Sequence, residues 1–478
     1  MNRLMLPTSR RSKSFTIFMA TALIAAPAPA QVRTGLATQV APPRPAATQP
    51  KPNTTPPQTA PDAPVPGNPD FAPQAVTPTT PAPPPAPLPP PIWDAVSAQD
   101  LLYYIQQIGK DGLNPADYDP AGLAAAIQSG NPMLMSQVAT ERFNRLSSDL
   151  ALGHVKKPAR IDWWVADKDL DAVKQDALLR LALAQRNVRA ALDGLLPTHP
   201  QYAALKAALE MTAADDTARA NRIRLNMDRW RWLPRDLGQK YIIVNVPGFH
   251  ATLVENGVNR WKQRAIAGKL STPTPQLSAT AVGVILNPWW EVPKSIEREA
   301  AGKKGFVPVK GADGKVQRWR QPPGPTNALG QIKIVMPNSK AIYLHDTNAR
   351  SRFNDSTRAL SHGCVRTQHI LDLATELLGD DAGPWTPDKI QATLASGKSM
   401  QANFVKPLPV YIVYFSSAAL LDGKIVDYRD LYGRDSKAMA ALQMKDGGAS
   451  LAPPKPKPGD TIAAPAAKPK PTGQVATR

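Results

Sequence analysis

The sequence predicts an α+β protein: a helical scaffold domain followed by a mainly β domain with one prominent helix. Three observations predict it. Apolar residues recur at helical spacing from Trp93 to about Asn226, short β-branched and aromatic runs replace them after DRWRWLP, and both flanks are proline-rich.

In chain order, residues 1–30 read as an export signal. MNRLMLPTSRRSKS is basic, FTIFMATALIAA is apolar, and Ala28-Pro29-Ala30 supplies small residues for cleavage. About a dozen apolar residues are too few to span roughly 30 Å of hydrocarbon. A cleaved signal, export and no stable membrane span are therefore expected. Residues 31–92, dominated by Pro, Ala, Thr and Gln, cannot bury a core and favour polyproline II, as a spacer does. In the helical domain, 93–226, Ser97-Ala-Gln-Asp100 resembles a capping box ahead of Leu101, Leu102, Ile105 and Ile108. Asn131-Pro132 offers a second helix start. Nothing in this domain looks catalytic, and the tryptophans of DRWRWLP read as packing between scaffold and sheet.

The β domain, 227–435, has strand signals at 241–246, 251–254, 282–286, 331–336, 342–344 and 410–415, with Asn256-Gly257 as a hairpin turn. A helix is expected from about Gln368 to Leu378. Ile370, Leu371, Ala374, Leu377 and Leu378 share its apolar side, Thr367 can cap it and Gly379 can end it. Residues 436–478, with PPKPKPGDTIAAPAAKPKP after Leu451, read as a basic tail.

The net charge of +19 favours polyanionic partners. Export removes most of the case for nucleic acid and leaves an acidic cell-wall polymer. The chain has a single cysteine, Cys364. It cannot pair within the chain, and a free thiol in an oxidising compartment invites damage. That tilts Cys364 toward chemistry, against the alternative of a small buried hydrophobe. Close to a helix N-terminus it is expected to favour thiolate. Two histidines could act as base: His362, two residues away, and His345, which ends a predicted strand and is favoured because a sheet edge holds it rigidly. Amides of the loop His362-Gly363-Cys364 could hold an oxyanion. A zinc site from Cys364, His345, His362 and His369 is the rival, but His-Gly-Cys matches no usual zinc spacing. No metal or cofactor is expected. His154, His199 and His250 read as structural or exposed.

The string SHGCVR, preceded nineteen residues earlier by the histidine of YLHDT, resembles the L,D-transpeptidase (YkuD) catalytic signature. VNVPGF at 244–249, GK with TPTP at 268–275, NPWWEVPKSI at 287–296, PGPTNALGQIKI at 323–334 and DLYGRD at 430–435 resemble the long, scaffold-bearing branch of that family. The resemblance covers essentially all of 226–435 and implies a YkuD-like β-sandwich. It implies Cys364 as nucleophile and His345 as general base, with Tyr343 and the amides of Gly363 and Cys364 at the oxyanion site. Arg366 would hold a substrate carboxylate or brace the loop, Ser361 and His362 would shape it, and residues about 289–326 would form a lid. The implied partners are peptidoglycan stem peptides, a tetrapeptide donor and an acceptor stem, met in the periplasm at the wall. The implied reaction passes through a thioester, releases D-alanine and forms a 3→3 cross-link; hydrolysis or protein attachment by the same acyl-enzyme, and a non-enzymatic wall-binding scaffold, are the alternatives. Carbapenem acylation is implied as well. One departure stands out: ALEMTAADDTARANRIRLNMDRW joins the two domains with no room for the branch's usual peptidoglycan-binding module.

Overall fold

The computed structural model describes residues 88–451, apart from 167–168, 381–382 and 421–423. The expected signal, nearly all of the 31–92 spacer and the chain beyond 451 lie outside the described residues. Among the described residues, no helix is long and apolar enough to cross a membrane.

The first half is helical, as expected. Its opening helix, Ala95–Gln107, starts one turn earlier than the capping-box reading: Asp94 is the N-cap, accepting from the Ser97 amide at 3.0 Å and from the Ser97 hydroxyl at 2.8 Å. A carboxylate there satisfies an orphan amide and meets the positive helix end. Asn131 caps Pro132–Leu152 as predicted, accepting from the Met133 and Leu134 amides. The helix Thr217–Trp230 fills the junction where a binding module could have been inserted.

Eight strands form the main circuit of the β domain: β1 Lys240–Asn245, β2 His250–Glu255, β3 Val258–Gly268, β4 Gln276–Leu286, β5 Ile332–Val335, β6 Leu344–His345, β7 Val365–Thr367 and β8 Met400–Val413. Asn256 and Gly257 both take positive φ between β2 and β3, as a two-residue hairpin turn requires. The pairing runs β4-β8-β1-β2-β3-β7-β6-β5 and returns from β5 to β4. The expected sandwich is therefore a closed circuit, with no bare edge between its two faces. Only β1–β8 and β6–β7 are parallel pairs within it. Its core joins inward strand residues such as Val284, Ile334, Leu344 and Val410 to two helices, Ile370–Gly379 and Pro387–Ala395. Each buried Leu or Ile contributes roughly 2 kcal/mol.

Three expectations need correction. The helix after Cys364 begins at Ile370, not Gln368, and Thr367 lies in β7 and cannot cap it; Leu373 joins Ile370, Ala374, Leu377 and Leu378 on its buried side, where Leu371 also packs, partly buried. The residue before it, His369, stands at φ 51 with no side-chain cap. The chain also stays folded past 435: helix Asp435–Leu442 buries Ala438, Ala441 and Leu442 against Val155 and Leu225 of the helical domain and Trp232 just after it. Alanines and one leucine at helical spacing make that face, inside a stretch whose composition reads as tail.

Candidate active site

The parallel pair β6–β7 builds the site. Leu344 pairs with Val365 and His345 with Arg366, and the Val365 amide donates to the Tyr343 carbonyl at 3.0 Å. Side chains two apart on a strand share a face. Tyr343, His345, Cys364 and Arg366 therefore project from one face, with the thiol diagonal to the imidazole. On the other side of β6, Lys333 of β5 pairs with His345 and joins this face. Its ammonium lies 4.1 Å from the centre of the Tyr343 ring.

Electrostatics sets the resting protonation. Burial, with Arg366 and Lys333 nearby, pushes the His345 imidazole down to about 3, against a hydrogen bond to the Asp346 backbone. The imidazole is neutral at physiological pH, and its Nδ1 is buried with no partner. Burial pushes the Cys364 thiol up, opposed by hydrogen bonds from the Tyr343 amide and hydroxyl and by the charges of Lys333 and Arg366. The expectation of a helix-stabilised thiolate is thus overturned, because β7 separates Cys364 from the helix start at Ile370. The sulfur lies 3.8 Å from the Ala341 carbonyl.

Ser361 explains the loop's shape. Its buried hydroxyl donates to the Cys364 carbonyl at 2.5 Å and accepts from the Gly363 amide at 3.1 Å. The Gly363 amide is therefore committed within the loop, leaving the Cys364 amide and the Tyr343 hydroxyl beside the sulfur. Gly363 sits at φ 116, where an L side chain is strained, and a Cβ there would meet Ile342 at 3.3 Å. His362 points elsewhere: its Nε2 is 3.1 Å from Lys269 Nζ and 3.4 Å from a Glu299 carboxylate oxygen. Arg366 is half-buried with Nε unpartnered, and among the described residues no carboxylate forms an ion pair with it.

The other sequence motifs brace this loop. Thr274, from TPTP, donates to the Gly363 carbonyl at 2.8 Å and accepts from the Gly268 amide at 2.9 Å. Tyr432, from DLYGRD, donates to the Gly268 carbonyl at 2.6 Å, and Arg434 donates to the Thr274 carbonyl at 3.0 Å. Residues 290–321 form a separate three-stranded sheet, Trp290–Glu291, Val307–Lys310 and Val316–Gln321, around a small core of Val292, Ile296 and Ala300. Trp290 engages the Tyr343 hydroxyl, and Glu299 reaches His362. Sequence reasoning missed Lys333, Lys269, Thr274 and Glu299 as site residues. The signals available were the lysine in the apolar run QIKIVM and the GK and TPTP strings, which hold Lys269 and Thr274.

A thiol and a neutral imidazole thus stand on adjacent strands of a closed β circuit, with the cations Lys333 and Arg366 beside them. Residues 239–398 match the L,D-transpeptidase catalytic domain, YkuD, and residues 89–209 match the Scaffold domain. The chain thus carries a YkuD L,D-transpeptidase catalytic domain behind a Scaffold domain. It is 32% identical over 240 residues to the Haemophilus influenzae protein named "Putative L,D-transpeptidase", a match covering 45% of this chain and 48% of that relative. The match therefore spans about half the relative's length. Among solved structures it is similar to Mycobacterium tuberculosis L,D-transpeptidase 1 (15% identity, 37% of this chain and 61% of that one, TM-score 0.18). It is also similar to an Enterococcus faecium L,D-transpeptidase (12% identity, 38% and 52%, TM-score 0.22).

Proposed function

We propose that the protein is a cysteine-dependent L,D-transpeptidase acting on peptidoglycan tetrapeptide stems in the periplasm, at the wall. The observation that carries this reading is the shared face of β6 and β7, where Cys364 and an unpartnered, buried His345 Nδ1 are diagonal neighbours. Because both groups rest neutral, the proton leaves sulfur for Nδ1 as the sulfur attacks the carbonyl of the third stem residue. The Cys364 amide and Tyr343 hydroxyl receive the oxyanion, a donor pair of the kind worth roughly 3 kcal/mol each. Collapse returns the proton to the departing nitrogen, releases D-alanine and leaves a thioester on Cys364.

An amine of a second stem then attacks the thioester. It gives its proton to His345, which passes it to the leaving sulfur. The product is a 3→3 cross-link, and the acyl energy is kept in the thioester, as chemistry outside the cytoplasm requires. Arg366 and Lys333 suit stem carboxylates, and the 290–321 sheet excludes water in favour of the amine. A carbapenem would acylate the same sulfur.

Incubation with disaccharide-tetrapeptide followed by mass analysis tests the reading. A dimer lacking one D-alanine supports transpeptidation. A tripeptide monomer makes the enzyme a carboxypeptidase, and unchanged turnover in Cys364→Ala overturns the nucleophile assignment.

A further inference from the structure

The helical domain contributes to the site through a two-residue strand. Trp163 and Trp164 pair in parallel with Gln276 and Leu277 at the start of β4. Strand β5 covers residues 283–286 along the same strand. The chain from Met336 to Ala341 runs on from β5 toward Tyr343, and it brings Lys340 Nζ to 3.5 Å from the centre of the Trp164 ring. The next residue, Ala341, is the one whose carbonyl lies 3.8 Å from Cys364 Sγ. It holds φ 52, a backbone conformation that costs a non-glycine residue strain and fixes the direction of this turn. One lysine side chain and one residue of chain therefore separate the Trp164 indole from the thiol.

The two tryptophans have different fates. Trp163 packs inward, edge-on to Trp232 at 5.4 Å. Trp164 shares the face of Leu277, a residue of the core against which Cys364 and Tyr343 pack, yet keeps 45% of its surface exposed. A large aromatic held by a sheet pairing, oriented by a cation and left open beside a nucleophile is a platform for a flat, partly apolar ring. The proposed substrate supplies one. Three extended residues span about 10–11 Å, so when the third carbonyl meets the sulfur the sugar at the N-terminus of a stem stands about that far from it, beyond the turn that links Cys364 to Lys340 and Trp164.

Resting on the proposed function, we infer that Trp164 is a glycan subsite: it stacks on the pyranose ring that carries the donor stem, so the Scaffold domain reads the sugar while the catalytic domain reads the peptide. This gives the chain a means of engaging wall polymer with the usual binding module absent from the junction.

The test measures equilibrium binding to full-length Cys364→Ala protein, with and without Trp164→Ala, using disaccharide-tetrapeptide and sugar-free tetrapeptide. Removing Trp164 is expected to weaken the disaccharide-tetrapeptide by about tenfold and the tetrapeptide by less than about twofold. Trp164→Phe restores most of the difference. Equal losses on both ligands, no loss on either, or no binding of the disaccharide-tetrapeptide overturns the subsite. Matching melting temperatures show that folding is intact. Failure of the enzymatic reading is seen separately, as absence of any covalent adduct on Cys364 in protein with the native thiol.

Discussion

The reactivity of Cys364 follows from where its proton rests. Burial raises the thiol while Tyr343, Lys333 and Arg366 oppose that rise without reversing it, so little thiolate exists at neutral pH. Alkylation by iodoacetamide should therefore keep accelerating past pH 9; a plateau below pH 8 would mean a preformed thiolate–imidazolium pair instead. Arg366 lowers both the thiol and His345. Arg366→Met should move the alkylation profile to higher pH and weaken turnover at least tenfold, while Arg366→Lys keeps the profile. The candidate pair Cys364 and His345 was legible because a lone cysteine behind an export-like leader is conspicuous and because HGC and YLHDT come nineteen residues apart. Lys333 and Thr274 were not, since register across β5, β6 and the 268–276 loop gives them their place. The helix argument for thiolate failed for a physical reason too: three residues of strand are invisible in VRT.

At the level of elements, the 290–321 sheet meets the 361–364 loop through Glu299, His362 and Lys269. These contacts tie the small sheet to the two loops that flank the thiol. Surface ion pairs are weak, about 0–1 kcal/mol, which would suit this sheet if, as proposed, it covers the site and opens for substrate. Glu299→Gln should leave acylation by carbapenem within about twofold but raise the share of tripeptide over cross-linked dimer, measured by mass analysis. An unchanged product ratio removes the latch. Gly363→Ala acts differently: strain at φ 116 and contact with Ile342 should cut acylation at least a hundredfold while the melting temperature moves by only a few degrees. Elements with one apolar period were legible. Strand β3, VNRWKQRAIAG, was missed because its outer half is solvent-facing and polar on both sides, and the 359–361 and 365–367 strands because they are three residues each.

The whole molecule is held at the junction helix Thr217–Trp230. Trp230 stacks between His199 at 4.2 Å and Phe415 at 4.5 Å, and the Asn226 side-chain amide donates to the Ser416 hydroxyl and accepts from the Ser416 amide. The packing role read into DRWRWLP is what these residues perform. Asp228 accepts from the His154 and Val155 amides and the Trp232 indole, while His154 links buried Asp149 to the Met444 carbonyl beyond the last helix. Four histidines thus bear on stability with opposite signs, and pH separates them. Burial lowers His199 and His250 to about 4 and His345 to about 3, whereas Asp149 raises His154 despite burial. The unfolded chain binds protons at the three lowered sites first, so their stabilisation is lost as pH falls from about 6.5 toward 4, by at most roughly 3 kcal/mol each. His362 and His369 lie exposed at the surface and are left out of this balance. The single raised group works the other way: its contribution is full below about 6.5 and fades as pH rises through its folded value. Three against one makes acid the steeper side. Thermal midpoints should fall from pH 6.5 to 4, His250→Asn should flatten that limb by about a third, and His154→Gln should flatten only the alkaline one. A His250→Asn profile parallel to the unsubstituted protein's would mean that this histidine is solvated and the junction looser than its packing implies.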